Sequence, residues 1–259
     1  MERTVQSDGA RISYSIEGPE HAPALVLSHS LGTTRELWAR QATAFTGSFR
    51  VIRYDTRGHG DSSSPSSDCT IDQLGRDLVA VLDDAGVGST HVCGLSLGGQ
   101  VAMWLALNAP QRVHRIVVAN TAARLGSNDF WNERIAMVRS YGITGVADRV
   151  VAIWFTPEFS ERDADTVHGF KAMLQECSVD GYAAACAVLR DTDLREAIGG
   201  ITCPTLAIAG TADMAAPMAG MEFIRDRVPG AQFIALEAAH LSNVEQADAF
   251  TDAVMNFLR

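Results

Sequence analysis

The chain alternates between short, nearly continuous apolar runs and longer amphipathic stretches. A run such as "PALVLSHS" fits a strand buried on both faces of a sheet. Further strands are expected within "FRVIRYDTRGHG", "THVCGLS", "HRIVVANT", "CPTLAIAGT" and "AQFIALE". "ARISYSIEG" alternates with period two and predicts an early antiparallel strand. Between these runs, "TIDQLGRDLVAVLDDAG" carries apolar residues at helical spacing, with Gly86 as its stop. "GGQVAMWLALNAP" predicts a helix closed by Pro110, and another runs from about Pro217 to Val228. "SNVEQADAFTDAVMNFLR" predicts one closing helix, begun by a capping box from Ser242 to Glu245. Strands alternating with helices predict an α/β fold, a mostly parallel twisted sheet with helices on both faces.

One segment breaks this rhythm. From about Ala123 to Ile198 no buried strand is evident, and "DFWNERIAMVRSYG" and "VDGYAAACAVLRDTDLREAI" are helical in pattern. The expected organisation is a core of residues 1–123 and 199–259 with a helical cap, 124–198, inserted into it.

Composition narrows the partners. Of 259 residues, 47% are hydrophobic and 20% charged, which is ordinary for a globular protein and argues against disorder. A formal charge of −10 argues against nucleic acid and against an anionic membrane surface. The expected partner is a small-molecule substrate, and an anionic one would need a local positive site. No stretch reaches the ~18 consecutive apolar residues of a membrane span, and the N-terminal residues lack a signal-peptide core. The five cysteines, an odd number, form neither a CxxC nor a Cys/His cluster. A cytoplasmic protein with free thiols, no metal and no cofactor is expected.

The candidate chemistry lies at "HVCGLSLGGQ". Gly94-Leu95-Ser96-Leu97-Gly98 matches G-x-S-x-G, with a predicted strand before it and a helix after it. A turn that sharp needs glycines around the serine, and it aims the helix N-terminus at whatever Ser96 attacks. A serine hydroxyl needs a base. Lys171 is the only lysine, and Gly99 holds the position a Ser-x-x-Lys pair would use. Among seven histidines, His240 follows the last predicted strand, on the same sheet edge as Ser96. His29 and His59 are expected to shape loops, His91 and His114 begin strands, and His168 lies in the cap. Asp213, directly after "TLAIAGT", is the expected acid partner, ahead of Asp191 and Asp193 on the cap side. The chain order Ser96, Asp213, His240 is the order of the α/β-hydrolases. An oxyanion would be met by the N–H groups of Leu97 and of Leu31 in "HSLGTT". "DTRGHGD" (Asp55–Asp61) is expected to be a structural turn near the mouth of the site. In the cap, Arg134, Arg139 and Arg190 are candidate anion anchors, with Trp131 and Trp154 as apolar walls.

Over essentially its whole length the chain resembles an α/β-hydrolase, and within that superfamily the 3-oxoadipate enol-lactonases. The stretches that carry this resemblance are "LSHSLGTTRELW", "RYDTRGHGDSS", "CGLSLGGQVAMWLA", "VVANTAARLG", "DGYAAACAVLRDTDLR", "AGTADMAAP" and "AAHLSNVEQADAF". The resemblance implies opening of an enol-lactone to 3-oxoadipate, with Ser96, His240 and Asp213 as the triad. One departure is His29-Ser30, where many members have His-Gly. Other readings are a carboxylesterase, a carbon–carbon hydrolase of ring-cleavage products or a haloperoxidase-like esterase. A non-enzymatic ligand receptor on the same fold is a reading of another class.

Overall fold

The computed structural model describes residues 2–259. Its strands are β1 (Glu2–Ser7), β2 (Ala10–Glu17), β3 (Ala24–Ser28), β4 (Arg50–Tyr54), β5 (Thr90–Leu95), β6 (Val113–Ala119), β7 (Thr205–Gly210) and β8 (Gln232–Leu236). They form one sheet in the order β1-β2-β4-β3-β5-β6-β7-β8. β1, β2 and β4 are joined by antiparallel pairing, and every pairing from β4 across to β8 is parallel. All residues of β3, β5 and β7 are buried, as their unbroken apolar runs require. The edge strand β1 was not apparent in the sequence, because "ERTVQS" has no apolar run. It is specified instead by its pairing with β2, from Glu2 opposite Ser15 to Ser7 opposite Ala10.

Helices cover both faces of the sheet. The first, α1 (Ala39–Phe45), follows a 3-10 turn at Arg35–Trp38 and buries Ala42 and Phe45. In α2 (Ile71–Asp84) the apolar stripe Leu74, Leu78, Val81 and Leu82 faces inward, and Thr70 and Gln73 close a capping box. α3 (Leu97–Asn108) is apolar nearly all round and lies in the interior against β3, β5 and β6.

The insertion falls between β6 and β7. It holds α4 (Asn128–Tyr141), α5 (Thr144–Val151), α6 (Pro157–Arg162), α7 (Ala164–Gln175) and α8 (Val179–Asp191). Its two ends meet where Leu194 N donates to Ala123 O at 2.8 Å. The chain then closes with α9 (Met218–Arg227), α10 (Ser242–Glu245) and α11 (Ala247–Leu258).

Two expectations for the last segment are corrected. The closing helix is broken at Gln246, whose φ of −120° and ψ of 50° interrupt it. Ser242 and Glu245 form no capping box. The Ser242 hydroxyl donates to Asn120 Oδ1, and the Glu245 carboxylate accepts from Ala239 N at 3.0 Å and Thr156 N at 3.3 Å. Tertiary partners outcompete the local pattern there.

The topology places the site. β3 and β5 lie side by side, but β3 leads into β4 on one flank and β5 into β6 on the other. Loops leaving the carboxyl ends of two such strands diverge, and the crevice between them is where open α/β sheets bind ligands. Leu31 follows β3 and Ser96 follows β5. Among the described residues no helix is long and apolar enough to cross a membrane, and all five cysteines are free.

Candidate active site

Ser96 is the single residue between β5 and α3, with φ 57° and ψ −115°. A non-glycine residue there stores on the order of 1–3 kcal/mol of backbone strain and persists only where its surroundings hold it. Ser96 N donates to Ala119 O at 2.9 Å, and Thr121 Oγ1 donates to Ser96 O at 2.7 Å. The flanking glycines are steric necessities. A Cβ on Gly94 would lie 2.1 Å from Gly98 O, and one on Gly98 would lie 2.1 Å from Ser28 O.

The N-terminus of α3 thus opens beneath Ser96, with its partial positive charge. The N–H groups of Leu97 and Leu31 donate to no protein acceptor among the described residues. The neighbouring Gly32 N–H is already committed to His59 Nε2 at 3.0 Å.

Asp213 lies just beyond β7 and His240 just beyond β8. His240 Nδ1 is 2.9 Å from Asp213 Oδ2 and 3.1 Å from Oδ1, and both side chains are buried. Asp213 Oδ1 also accepts from Ala215 N and Ala216 N, each at 2.8 Å, and Oδ2 accepts from Asn120 Nδ2 at 2.9 Å. Burial pushes this carboxyl up, but the His240 ring and the N–H donors outweigh it and hold Asp213 below the usual carboxylate range. With Nδ1 bonded to the carboxylate, Nε2 is the nitrogen of His240 left for the cavity. Among the described residues no hydrogen bond joins the Ser96 hydroxyl to His240, and the two share the wall of one cavity.

That cavity has a volume of about 630 Å³ and lies between the sheet edge and the inserted helices. Trp131 and Trp154 are among its apolar walls, and Leu31 and Ser30 lie at the Ser96 end. Two cations line it, Arg134 from α4 and Arg149 from α5. Arg134 Nη1 donates to the Tyr182 hydroxyl at 3.3 Å and lies over the Phe130 ring, 5.2 Å from its centroid. No carboxylate pairs with either arginine among the described residues. Arg149 did not stand out in the sequence, where it is one of many arginines on polar helix faces.

Arg139 and Arg190 are corrected as anchors, because neither lines the cavity. Arg139 pairs with Asp68 at 3.4 Å, and Arg190 pairs with Asp68 at 3.3 Å and Asp191 at 2.7 Å. Arg139 lies five positions after Arg134, a rotation of about 140°, so they point to different sides of α4. Asp191 and Asp193 are likewise held in surface ion pairs, away from His240.

"DTRGHGD" is a structural turn, and none of its residues lines the cavity. Arg57 and Asp77 form a buried pair at 2.6 Å, and Asp55 accepts from Arg35 N at 2.8 Å. His29 Nε2 accepts from Thr56 N at 2.9 Å, so with His59 on Gly32 the two imidazoles pin the loop that carries Leu31.

The cap is fastened to the His240 loop from both sides. Leu241 N donates to Trp154 O at 2.9 Å, and Glu245 bridges Ala239 N to Thr156. Among the described residues no three His, Cys, Asp or Glu side chains cluster as metal ligands would.

The profile of the alpha/beta hydrolase fold family matches residues 23–247. The chain is 39% identical over 251 residues to 3-oxoadipate enol-lactonase 2 of Acinetobacter baylyi, covering 97% of this chain and 94% of that one. It is 36% identical over the same span to 3-oxoadipate enol-lactonase 1 of that organism. The solved enol-lactonase of Burkholderia xenovorans LB400 superposes with a TM-score of 0.97 at 39% identity, over 99% of both chains. With its elbow serine, its sheet order and these relatives, the chain belongs to the α/β-hydrolase family, and is similar over nearly its whole length to the 3-oxoadipate enol-lactonases.

Proposed function

We propose that the chain is a serine hydrolase that opens 3-oxoadipate enol-lactone to 3-oxoadipate. Ser96 carries most of the weight: a strained serine on a strand-to-helix turn shares a cavity with a histidine already bonded to a buried aspartate. Ser96 Oγ attacks the lactone carbonyl while His240 Nε2 takes its proton, and Asp213 stabilises the imidazolium. Serine–base contacts of this kind tighten when substrate fills the site. The N–H groups of Leu31 and Leu97 receive the oxyanion. Collapse of the tetrahedral adduct breaks the ring C–O bond, and the imidazolium returns its proton to the departing enol oxygen. The enol tautomerises to the ketone. Water, deprotonated by His240, then releases the acyl group from Ser96 as a carboxylate.

Substrate choice follows from charge. The lactone carries a free carboxylate and the protein a formal charge of −10, so a local cation or a cluster of N–H donors has to hold it. Arg134, with Arg149 beside it, takes that part, and Trp131 and Trp154 flank the apolar ring. The relatives named for this lactone support the choice.

The test is turnover of enzymatically generated enol-lactone beside a neutral aryl ester. The lactone is preferred, and Ser96→Ala lowers kcat by ~10⁴–10⁶-fold. A fluorophosphonate adduct maps to Ser96 by mass spectrometry. Activity surviving in Ser96→Ala sinks the mechanism. A preference for the neutral ester makes the protein a general carboxylesterase, and tight binding of the lactone without turnover makes it a receptor.

A further inference from the structure

Asn120 is the first residue beyond β6, and nothing in the proposed chemistry requires it. It is completely buried and has a φ of 46°, a region asparagine tolerates better than most residues. Its Nδ2 donates to Asp213 Oδ2 at 2.9 Å and to Ala239 O at 3.1 Å, and its Oδ1 accepts from the Ser242 hydroxyl. A carboxylate and a backbone carbonyl only accept, so the group between them must supply two protons, which an amide nitrogen does. Ala239 and Ser242 stand on either side of His240 in the chain. One side chain therefore touches the Asp213 carboxylate and both shoulders of the histidine loop. The next residue, Thr121, donates from Oγ1 to Ser96 O at 2.7 Å. The end of β6 is thus bonded to all three strand ends that carry the proposed triad.

We propose that Asn120 is a positioning residue, whose amide sets the Asp213 carboxylate and the His240 loop at the separation and angle that proton transfer needs. This rests on the triad reading above. An amide there is neutral, so it orients Asp213 without adding charge beside the imidazole. A carboxylate in its place would turn a donor into an acceptor facing Asp213, and the two charges would repel unless the neighbouring imidazole holds a proton. The other charged groups around the pair are Glu245, on Ala239 N from α10, and Arg134 and Arg149 across the cavity.

The test uses Asn120→Ala and the nearly isosteric Asn120→Asp on the intact protein. Active serine is counted by fluorophosphonate titration, so that rates refer to folded enzyme only. We expect kcat to fall by ~10–100-fold in both variants with KM changed less than about threefold. In Asn120→Asp the acid limb of kcat/KM moves to higher pH, because added negative charge favours the protonated imidazole. A residue that only supports folding would lower the melting temperature and leave the pH profile of the titrated enzyme where it was. Profiles that superpose on wild type, or a per-site kcat within twofold of it, overturn the proposal. Failure of the triad reading is separable, since it appears as activity in Ser96→Ala whatever the Asn120 variants do.

Discussion

Gly58 and Gly181 meet backbone to backbone: a Cβ on Gly181 would lie 2.2 Å from the Gly58 carbonyl oxygen. Gly58 belongs to the turn after β4 and Gly181 to the first turn of α8, so this contact seats the cap on the core. Gly181 lies in a helix and has no left-handed φ, so helix propensity favours alanine there by about 1 kcal/mol. Overpacking opposes it by about 1–3 kcal/mol, with only backbone to give way. Gly181→Ala should therefore lower the melting temperature by several degrees. It should also raise KM, because the adjacent Tyr182 lines the cavity. Thermal unfolding followed by fluorescence, with Michaelis curves, checks both. A melting temperature above wild type would mean that α8 is not held by this contact.

Acid should weaken the fold through the two imidazoles that pin the Leu31 loop. Burial lowers His29 to about 4, and burial with repulsion from His29 lowers His59 to about 3. Unfolded histidine titrates near 6.5, so between about pH 6.5 and 4 the unfolded chain binds protons that the folded one refuses. Stability present above pH 6.5 is then lost as pH falls, by up to on the order of 1 kcal/mol per pH unit per ring. In His59→Gln the amide oxygen can still accept the Gly32 N–H while nothing titrates. Urea unfolding at pH 7, 6 and 5 should give a lower stability at pH 7 but a shallower fall with acid than wild type. Parallel curves would show that His59 does not supply the slope.

What the sequence revealed, and what it hid, follows from where each signal resides. Ser96, Asp213 and His240 each sit just beyond an apolar strand run, so a one-dimensional pattern finds them. Asn120 has that same address after "HRIVVA", but its meaning depends on loops 93 and 119 positions later in the chain. Ser242-Asn243-Val244-Glu245 matches a capping box locally, yet both of its side chains answer to partners the local pattern does not contain. The polar edge strand β1 has β2 as its one strand partner. In α4 the buried stripe Trp131, Ile135 and Val138 has Arg134 on one flank and Arg139 on the other. The pattern weighs those flanks equally, and only the packing of α5 and α8 decides which faces the cavity.

That difference between flanks yields the sharpest test of substrate choice. Arg134 is half-buried, fixed by Tyr182 and Phe130, and faces the cavity without a carboxylate partner among the described residues. If it holds the lactone's carboxylate, Arg134→Ala leaves that charge unpaired. The expected loss is about 2–4 kcal/mol of transition-state binding, or ~30–1,000-fold in kcat/KM. A neutral aryl ester should be nearly spared. Arg149 is exposed, so solvent screens it, and Arg149→Ala should act in the same direction but more weakly and with more salt dependence. Arg139→Ala and Arg190→Ala break the surface ion pairs to Asp68 and Asp191, and in Arg190 a hydrogen bond to Asn132, and should leave both substrates within about twofold of wild type. Steady-state kinetics of the four variants on both substrates, at low and high salt, separate these outcomes. Equal losses on lactone and ester in Arg134→Ala would show that it shapes the cavity wall, and the carboxylate would then have to be met by backbone N–H groups.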